Sequence, residues 1–340
     1  MNWQTTFGKV ELEEQVLRLG RRGVRLRPFC LKAQVRPAGY SRPLERALSD
    51  FGAEESFGRA AARVQEHYGI EIAASAIRRL TYAHARKIQA VAPARPTQPA
   101  QTLITQMDGS MIPLVKPGQN GDRRQGKTLL WSEARLCCAR PEDRVDRVYG
   151  ATLGTLETVS LMWRQTAQYG GLNEKTFVHG IGDGAPWIVE KFNDNFGPQG
   201  KYLIDFYHVA EYLAAAAPKI VGPQKAAGWL KKQKTRLMLG QAGKILRTLE
   251  PHREAPGTAE TPIEDAARYI RQRLAHLHYP QARQANLPIG SGEVESGHRH
   301  VIQHRLKLAG AWWTQTNAQA MLGLRVARAN NCWNTYWSAN

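Results

Sequence analysis

The sequence of 340 residues has few cysteines, and its acidic residues are far fewer than its basic ones. The four cysteines are Cys30, Cys137, Cys138 and Cys332. None of them forms a C-x-x-C pair, so we expect no structural zinc site. Cys137 and Cys138 are adjacent in a predicted strand, where neighbouring side chains face opposite ways and do not readily pair. We therefore expect reduced thiols and a reducing, cytoplasmic compartment.

Long apolar segments are also missing. No run approaches the roughly 20 residues that span a bilayer. The N-terminal stretch MNWQTTFGKVELEEQ carries acids and has neither an apolar core nor a small-residue cleavage site, so we expect no signal peptide and no membrane partner. The hydrophobic content of 42% is that of a folded protein, and the length is sufficient for two or three units with cores of their own.

The charge is strongly one-sided, with 47 Lys and Arg against 29 Asp and Glu and a formal net charge of +18. Such an excess predicts a polyanionic partner, with nucleic acid first and an anionic membrane second. A membrane-binding protein would carry a basic amphipathic helix beside a lipid-anchor motif, and neither is found. We therefore predict DNA as the partner. A merely solvated basic surface is the alternative.

The first hundred residues divide by composition. Residues 1–50 are basic and punctuated by glycine and proline, and we expect short strands or extended arms there. Residues 51–90 predict a helix, a turn around Gly69 and a second helix. This region resembles a helix-turn-helix whose second helix enters a major groove, or else is an ordinary basic helical hairpin. In the first case the DNA-binding residues include Arg78, Arg79, Arg86 and Lys87. The proline-rich residues 91–101 predict a linker.

From residue 102 the pattern changes to strands, and the predicted order is β-β-β-α-β-α-β. This order is the pattern of the RNase H-like fold, an α/β class. We expect that core in residues 102–209 and 287–340, with a further helix closing the order as β-β-β-α-β-α-β-α. Residues 210–286 predict an all-helical, basic insertion between the two parts.

Three acids occupy the positions at which this fold carries its chemistry. Asp108 lies in the first strand and Asp183 follows the fourth, within GIGDGAPWI, where a plain helix N-cap is the alternative role. The third acid is Glu295 or Glu293, which are about 200° apart on a helix, so one face cannot hold both. We favour Glu295. Either glutamate could instead complement the helix dipole.

Three converging carboxylates repel one another unless cations neutralise them. Two Mg²⁺ or Mn²⁺ ions suit such oxygen ligands and suit phosphoryl transfer. With DNA as the partner, the predicted reaction is phosphodiester cleavage or strand transfer. Asp205 and His208 form a D-x-x-H at the end of the fifth strand, and they could brace this site, contact DNA, or simply cap a helix.

The motifs GDGAPWI, IDFYHVAEYL and PIGSGEVESGHRHVIQHRLKLAGAWW, taken in this order, resemble those of the ISKra group of bacterial insertion-sequence transposases. The resemblance covers residues 102–337 and, more loosely, 5–90. It implies a DDE enzyme with an N-terminal helix-turn-helix and a helical insertion before the last acid. Asp108, Asp183 and Glu295 are then the catalytic and metal-binding acids, with Asp205 and His208 in support. Trp229 in the insertion would face DNA, or else pack in the core.

The expected function is that of a transposase that binds terminal inverted repeats, cuts DNA and transfers the released 3′-OH to target DNA. Arg305, Lys307 and the basic insertion would hold phosphates. Because two DNA ends are joined, we expect a homodimer or larger assembly on DNA, in a bacterial cytoplasm and associated with the nucleoid. The alternatives are a catalytically inactive DNA-binding regulator derived from a transposase, and an RNase H-like nuclease.

Overall fold

The computed structural model describes residues 1–18, 20, 23–33, 35–36, 38–94, 98–118 and 126–339. The chain divides into two compact units. The flanking unit comprises Met1–Ala92, Pro113–Leu130 and Val301–Asn340, and the central unit comprises Pro93–Ile112 and Trp131–His300. Part of the predicted linker, residues 95–97, lies outside the described residues.

The N-terminal part of the flanking unit begins with five short strands, as the glycine and proline punctuation predicts. Strand β1 pairs antiparallel with β2 and parallel with β5, and β3 pairs antiparallel with β4. The strands and the short helix among them are β1 (Asn2–Thr5), β2 (Gly8–Glu11), β3 (Leu17–Arg18), β4 (Arg25–Leu26), α1 (Pro28–Lys32) and β5 (Gly39–Tyr40).

Three helices then pack around a small apolar core. They are α2 (Arg42–Glu54), α3 (Phe57–Tyr68) and α4 (Ala74–Ile88). Leu44, Leu48, Val64 and Ile77 are buried in this core. The predicted turn is present, because Gly69 ends α3 in the left-handed region at φ +64°, which glycine adopts without strain. Helix α2 extends the helical region about nine residues before its predicted start.

A five-stranded mixed sheet follows, with the strand order β10-β9-β6-β7-β8. Strands β6, β9 and β10 run parallel, and β7 runs antiparallel to β8. The elements follow the predicted order: β6 (Thr102–Lys116), β7 (Thr128–Pro141), β8 (Val148–Thr152), α5 (Leu156–Tyr169), β9 (Phe177–Gly182), α6 (Pro186–Phe196) and β10 (Gly200–Ile204).

Close helix packing explains why the sequence places glycine within β9. A Cβ at Gly180 would come within 2.3 Å of the Phe192 ring on α6. Phe192, Phe196 and Trp163 form one aromatic cluster in the core, and the Trp163 indole donates to Thr105 Oγ1 at 2.7 Å. This packing holds α5 and α6 against the strands that carry the acidic residues.

Helices fill the rest of the central unit and share its apolar core. The sequence predicted helices for residues 210–286, and helices are present there. Among the described residues, no helix is long and apolar enough to cross a membrane. They are α7 (Phe206–Val221), α8 (Pro223–Met238), α9 (Ala242–Leu249), α10 (Pro262–Gln272), α11 (Tyr279–Gln284) and α12 (Gly292–Gly297).

The C-terminal helices differ in detail from the prediction. The helix after the Gly-Ser-Gly turn is interrupted, since residues His298–Gln303 form a π-helix between α12 and α13 (His304–Leu306). Helix α14 (Gln315–Ala329) follows. A further helix, α15 (Cys332–Ala339), was not predicted.

Candidate active site

Asp108 is the point at which β6 emerges from the core. Residues 103–107 are buried, whereas Asp108 is partly exposed. The amide of Gly109 donates to Asp108 Oδ1 at 2.7 Å. The strand therefore presents a carboxylate at the edge of the apolar interior, with one oxygen already oriented by the backbone.

Asp183 follows β9 directly, in a turn that glycine makes possible. Gly184 has φ +74°, and the amide of Ala185 donates to Asp183 Oδ1 at 2.9 Å. The N-cap of α6 is Ala185 and not Asp183, so the alternative role of Asp183 as a plain N-cap is wrong. The carboxylate closes a local Asx turn instead. That turn uses Oδ1.

The two candidate glutamates on α12 differ sharply in their surroundings. Glu293 accepts from Arg140 at 2.7 Å and from Arg147 at 2.8 Å, and these cations hold the pKa of Glu293 below its usual range despite burial. Glu295 is exposed, and its carboxylate has the Ser291 hydroxyl as its described hydrogen-bond donor, at 3.5 Å. Of the two, Glu295 has a carboxylate free of any described ion pair.

Electrostatics link the three predicted acids. The pKa of Asp108 is raised to about 6, first by burial and then by the charges of Asp183, Glu295 and Glu133, against the opposing Gly109 hydrogen bond. The structure thus brings Asp183 and Glu295 close enough for their charges to act on Asp108. It adds Glu133 of β7, which sequence reasoning missed. Glu133 pairs with Arg135 at 2.8 Å, and only the pairing of β7 beside β6 reveals its position.

A buried histidine also reaches this cluster. His298 Nε2 lies 3.4 Å from Asp108 Oδ2, and the His298 side chain is only 3% exposed. His298 is three residues after Glu295, where the π-helix begins. No role for His298 was predicted from the sequence.

The chemistry of these donors fits a hard divalent cation, because carboxylate oxygens are the ligands that Mg²⁺ and Mn²⁺ prefer. The raised pKa of Asp108 reflects burial first and neighbouring negative charge second, and a bound cation would offset both. Within the described part of the chain, however, no three Asp, Glu, His or Cys side chains are arranged to enclose a metal ion. The acids act on the charge of Asp108 but do not form a closed ligand shell among the described residues.

Comparison with known proteins gives the family. The model of an uncharacterised protein family, UPF0236, matches residues 48–335. The chain belongs to UPF0236. A curated UPF0236 protein, "UPF0236 protein in vanSb 3'region" from Streptococcus gallolyticus, is 27% identical over 170 residues, or 49% of this chain. That match spans about a third of the relative's length (36%).

One solved structure is distantly similar to this UPF0236 chain. It is titled "Drosophila P element transposase strand transfer complex", and the similarity covers 92% of this chain and 84% of that one, at 9% identity. The TM-score is 0.36. So distant a likeness establishes neither the fold nor the function of the UPF0236 chain.

Asp205 connects two segments of the chain in this UPF0236 site by hydrogen bonds. It is 2% exposed and is the N-cap of α7, accepting from the amides of Tyr207 at 2.5 Å and His208 at 3.2 Å. Its other oxygen accepts from the Ser291 amide at 2.6 Å and from the Ser291 hydroxyl. Asp205 therefore ties the start of α7 to the turn that leads into Glu295. The capping alternative is confirmed for Asp205, and its role in bracing the acid site stays a prediction.

The neighbouring His208 has a different environment. It is partly exposed, its Nδ1 lies 3.5 Å from Glu211 Oε2, and its ring packs edge-on against Tyr212 and Tyr269. His208 thus belongs to an aromatic group on α7 and α10.

The residues predicted to bind DNA fall into two groups. The side chains on α4 and Lys307 are exposed, as a phosphate contact requires: Arg78, Arg79, Arg86, Lys87 and Lys307. Trp229 is partly buried and packs against the central core, as its alternative role requires.

The prediction that Arg305 contacts phosphates is wrong, because its side chain is buried. It is 2% exposed, and its guanidinium lies 4.8 Å from the ring centres of both Phe57 and Trp313. Its Nε donates to the Gly52 carbonyl at 3.1 Å. Burial lowers the pKa of Arg305 to about 10, which leaves it charged but enclosed. A sandwich between two rings is favourable for a planar guanidinium, and this removes Arg305 from the surface.

Proposed function

We propose that this chain is a DDE transposase with an RNase H-like catalytic core, related to the ISKra group, and that it cuts and joins DNA. The observation that supports the proposal is that Asp183 and Glu295, each in its own family-like motif, lie close enough for their charges to act on the buried carboxyl of Asp108. Crowding of unneutralised acids costs stability, and chains retain such arrangements at functional sites.

The strand order supports the fold part of the proposal. A sheet ordered β10-β9-β6-β7-β8, with parallel strands on one side of the first strand and an antiparallel pair on the other, is the arrangement expected of an RNase H-like core. In this arrangement the first and fourth strands are neighbours. Asp108 and Asp183 therefore come from adjacent strands, although 75 positions separate them in the sequence.

Each residue of the candidate site has its own role in the proposed reaction. Asp108, Asp183 and Glu295 would hold Mg²⁺ or Mn²⁺, which supplies activation of the attacking oxygen and stabilisation of the leaving oxygen in phosphoryl transfer. Above pH 6 the Asp108 carboxyl is ionised and available as a ligand. Asp205 holds the Ser291 turn, and so the position of Glu295. Glu293 keeps α12 against β7 through Arg140.

DNA binding would rest on the excess positive charge. The formal net charge of +18, with exposed cations on α4 and at Lys307, favours a partner with many phosphates and predicts steeply salt-dependent affinity. We further propose that two or more copies assemble on DNA, because strand transfer joins two ends.

Cleavage of the gene's own flanking DNA tests the function. The wild-type protein, Asp108→Ala and Asp183→Ala are incubated with flank DNA and Mg²⁺ or Mn²⁺, beside Asp143→Ala as a matched control at an exposed acid. We expect metal-dependent cuts near the repeats with the wild type and the control, and none with the two site variants. Binding without cuts would favour the inactive regulator. Cuts without strand transfer would favour the nuclease.

A further inference from the structure

The turn that carries Asp183 contains glycine, and side chains from another part of the chain hydrogen-bond to its backbone. Gly182 precedes Asp183, and Gly184 follows it with φ +74°. Gly182 is fixed by its pairing with Ile204 of β10, whereas Gly184 leaves the backbone after Asp183 many conformations. The hydrogen bond from Ala185 to Asp183 is internal to the turn and does not fix the turn against the rest of the protein.

Two side chains from the helical region reach the two successive carbonyls of this turn. The Tyr269 hydroxyl, on α10, donates to the Asp183 carbonyl. Arg273, at the end of α10, donates from Nε to the Gly184 carbonyl at 3.0 Å. No sequence pattern indicates either contact, because 86 and 89 residues separate the partners.

The two donors are themselves fixed. The Arg273 guanidinium lies 4.0 Å from the centre of the Tyr269 ring, and Tyr269 stacks on Tyr212 with ring centres 4.2 Å apart. Tyr269 is buried, and burial raises its pKa, so the hydroxyl keeps the proton that it donates. A Cβ at Gly184 would lie 2.9 Å from Arg273 Nε, which shows how closely the turn and the arginine approach.

We infer that Tyr269 and Arg273 are positioning residues for Asp183, so that the helical insertion sets the geometry of the acid cluster besides any contact with DNA. Fixing both carbonyls fixes the peptide planes on either side of Gly184, and with them the direction of the Asp183 carboxylate. The role in catalysis rests on the proposed function. The role in metal binding can be measured without it.

The test compares Tyr269→Phe and Arg273→Gln with Arg271→Gln, a matched control on the exposed face of α10, whose described ion pair is with Glu250. Tyr269→Phe removes only the hydroxyl and keeps the ring stacking. Calorimetric titration of the DNA-free protein with Mn²⁺ is the first readout. Cleavage kinetics, separated into kcat and the Kd for DNA, is the second, and thermal unfolding verifies the fold of each variant.

We expect Tyr269→Phe and Arg273→Gln to weaken Mn²⁺ binding by roughly threefold to tenfold, the loss that corresponds to about one hydrogen bond. In the Asp183→Asn background, Tyr269→Phe should cause no further loss, because the carboxylate that it positions is gone. kcat should fall by about tenfold to a hundredfold with the Kd for DNA within about twofold of wild type, since a small displacement of a reacting group costs this much.

Unchanged Mn²⁺ affinity in both variants would overturn the inference, as would equal losses in Arg271→Gln or full additivity with Asp183→Asn. If the wild type binds Mn²⁺ through Asp183 and the variants weaken that binding, but no DNA is cut, the positioning role stands and the proposed transposase activity fails. If neither variant changes the metal affinity while wild-type cleavage is normal, the activity stands and the positioning role fails.

Discussion

Replacing Asp108 by asparagine is expected to stabilise the metal-free protein above pH 6 and to leave it almost unchanged near pH 4. The pKa of Asp108 is raised from 3.8 to about 6, chiefly by burial and then by neighbouring acids. The native state therefore keeps the Asp108 proton to a higher pH than the unfolded chain does. This contribution to stability is full below pH 4 and is lost as the pH rises to about 6.

The size of the effect follows from the shift. The rise in the pKa of Asp108 corresponds to at most about 3 kcal/mol in the free energy of unfolding, at 1.36 kcal/mol per pKa unit. The Asp108 side chain is 36% exposed, so water screens part of that cost. We therefore expect the Asp108→Asn variant to gain about 1–2 kcal/mol at pH 8. Asparagine has nearly the shape of aspartate, so packing should change little.

Urea unfolding of both proteins in EDTA at pH 4, 6 and 8 measures the difference, with Asp143→Asn as the exposed control. Adding Mn²⁺ at pH 8 should raise the unfolding midpoint of the wild type and leave that of the variant nearly unchanged. Equal stability of wild type and variant at pH 8 would refute this explanation of the raised Asp108 pKa by burial and neighbouring acids. A stability gain of the variant that is as large at pH 4 as at pH 8 would refute it as well.

Further predictions concern the other glutamates, the turn and the buried arginine. Glu293→Gln should lower the free energy of unfolding by about 2–3 kcal/mol, because two arginines lose their carboxylate, whereas Glu295→Gln should stay within about 0.5 kcal/mol of wild type and abolish cleavage. Gly184→Ala should cost about 1–3 kcal/mol in urea unfolding, since its Cβ would lie 2.3 Å from Ile204 Cδ1. Arg305→Ala should lower the unfolding midpoint by the equivalent of about 2–4 kcal/mol, whereas Lys307→Ala should leave it unchanged and reduce the salt slope of DNA binding by about one. A destabilised Lys307→Ala, or an undisturbed Arg305→Ala, would contradict the burial assigned to these two side chains.

The sequence predicted those features that depend on local pattern. Short apolar runs punctuated by glycine and proline indicated the order of the strands, the position of Asp108 within the first strand and that of Asp183 directly after the fourth. Gly69 marked a helix end correctly, because its left-handed backbone is a local property. Helix α2 was missed although Pro43, beside its first residue, is a helix-start signal.

What the sequence could not give depends on packing between distant segments. Arg305 and Lys307 are two residues apart and equally basic, yet only Arg305 is enclosed, by Phe57 and Trp313. Glu133 enters the acid cluster through strand pairing, and Tyr269 through helix packing. None of these neighbours is encoded in a spacing or a period. The π-helix at His298 is likewise a departure from the helical repeat that a pattern of apolar residues cannot reveal.

The wide sequence separation of the joined parts has a consequence for the timing of synthesis. Gln106, beside Asp108, accepts from the amide of Val294 at 2.9 Å across 188 positions. At roughly 5–20 residues per second, about 10–40 s pass between the synthesis of the first acid and that of the last. Throughout this interval a nascent chain has no assembled acid cluster, and its helix α4 still lacks α14, against which it packs in the finished protein. Each of the two units is thus completed only after the residues that follow Glu295 have been synthesised, so neither can be finished early in translation.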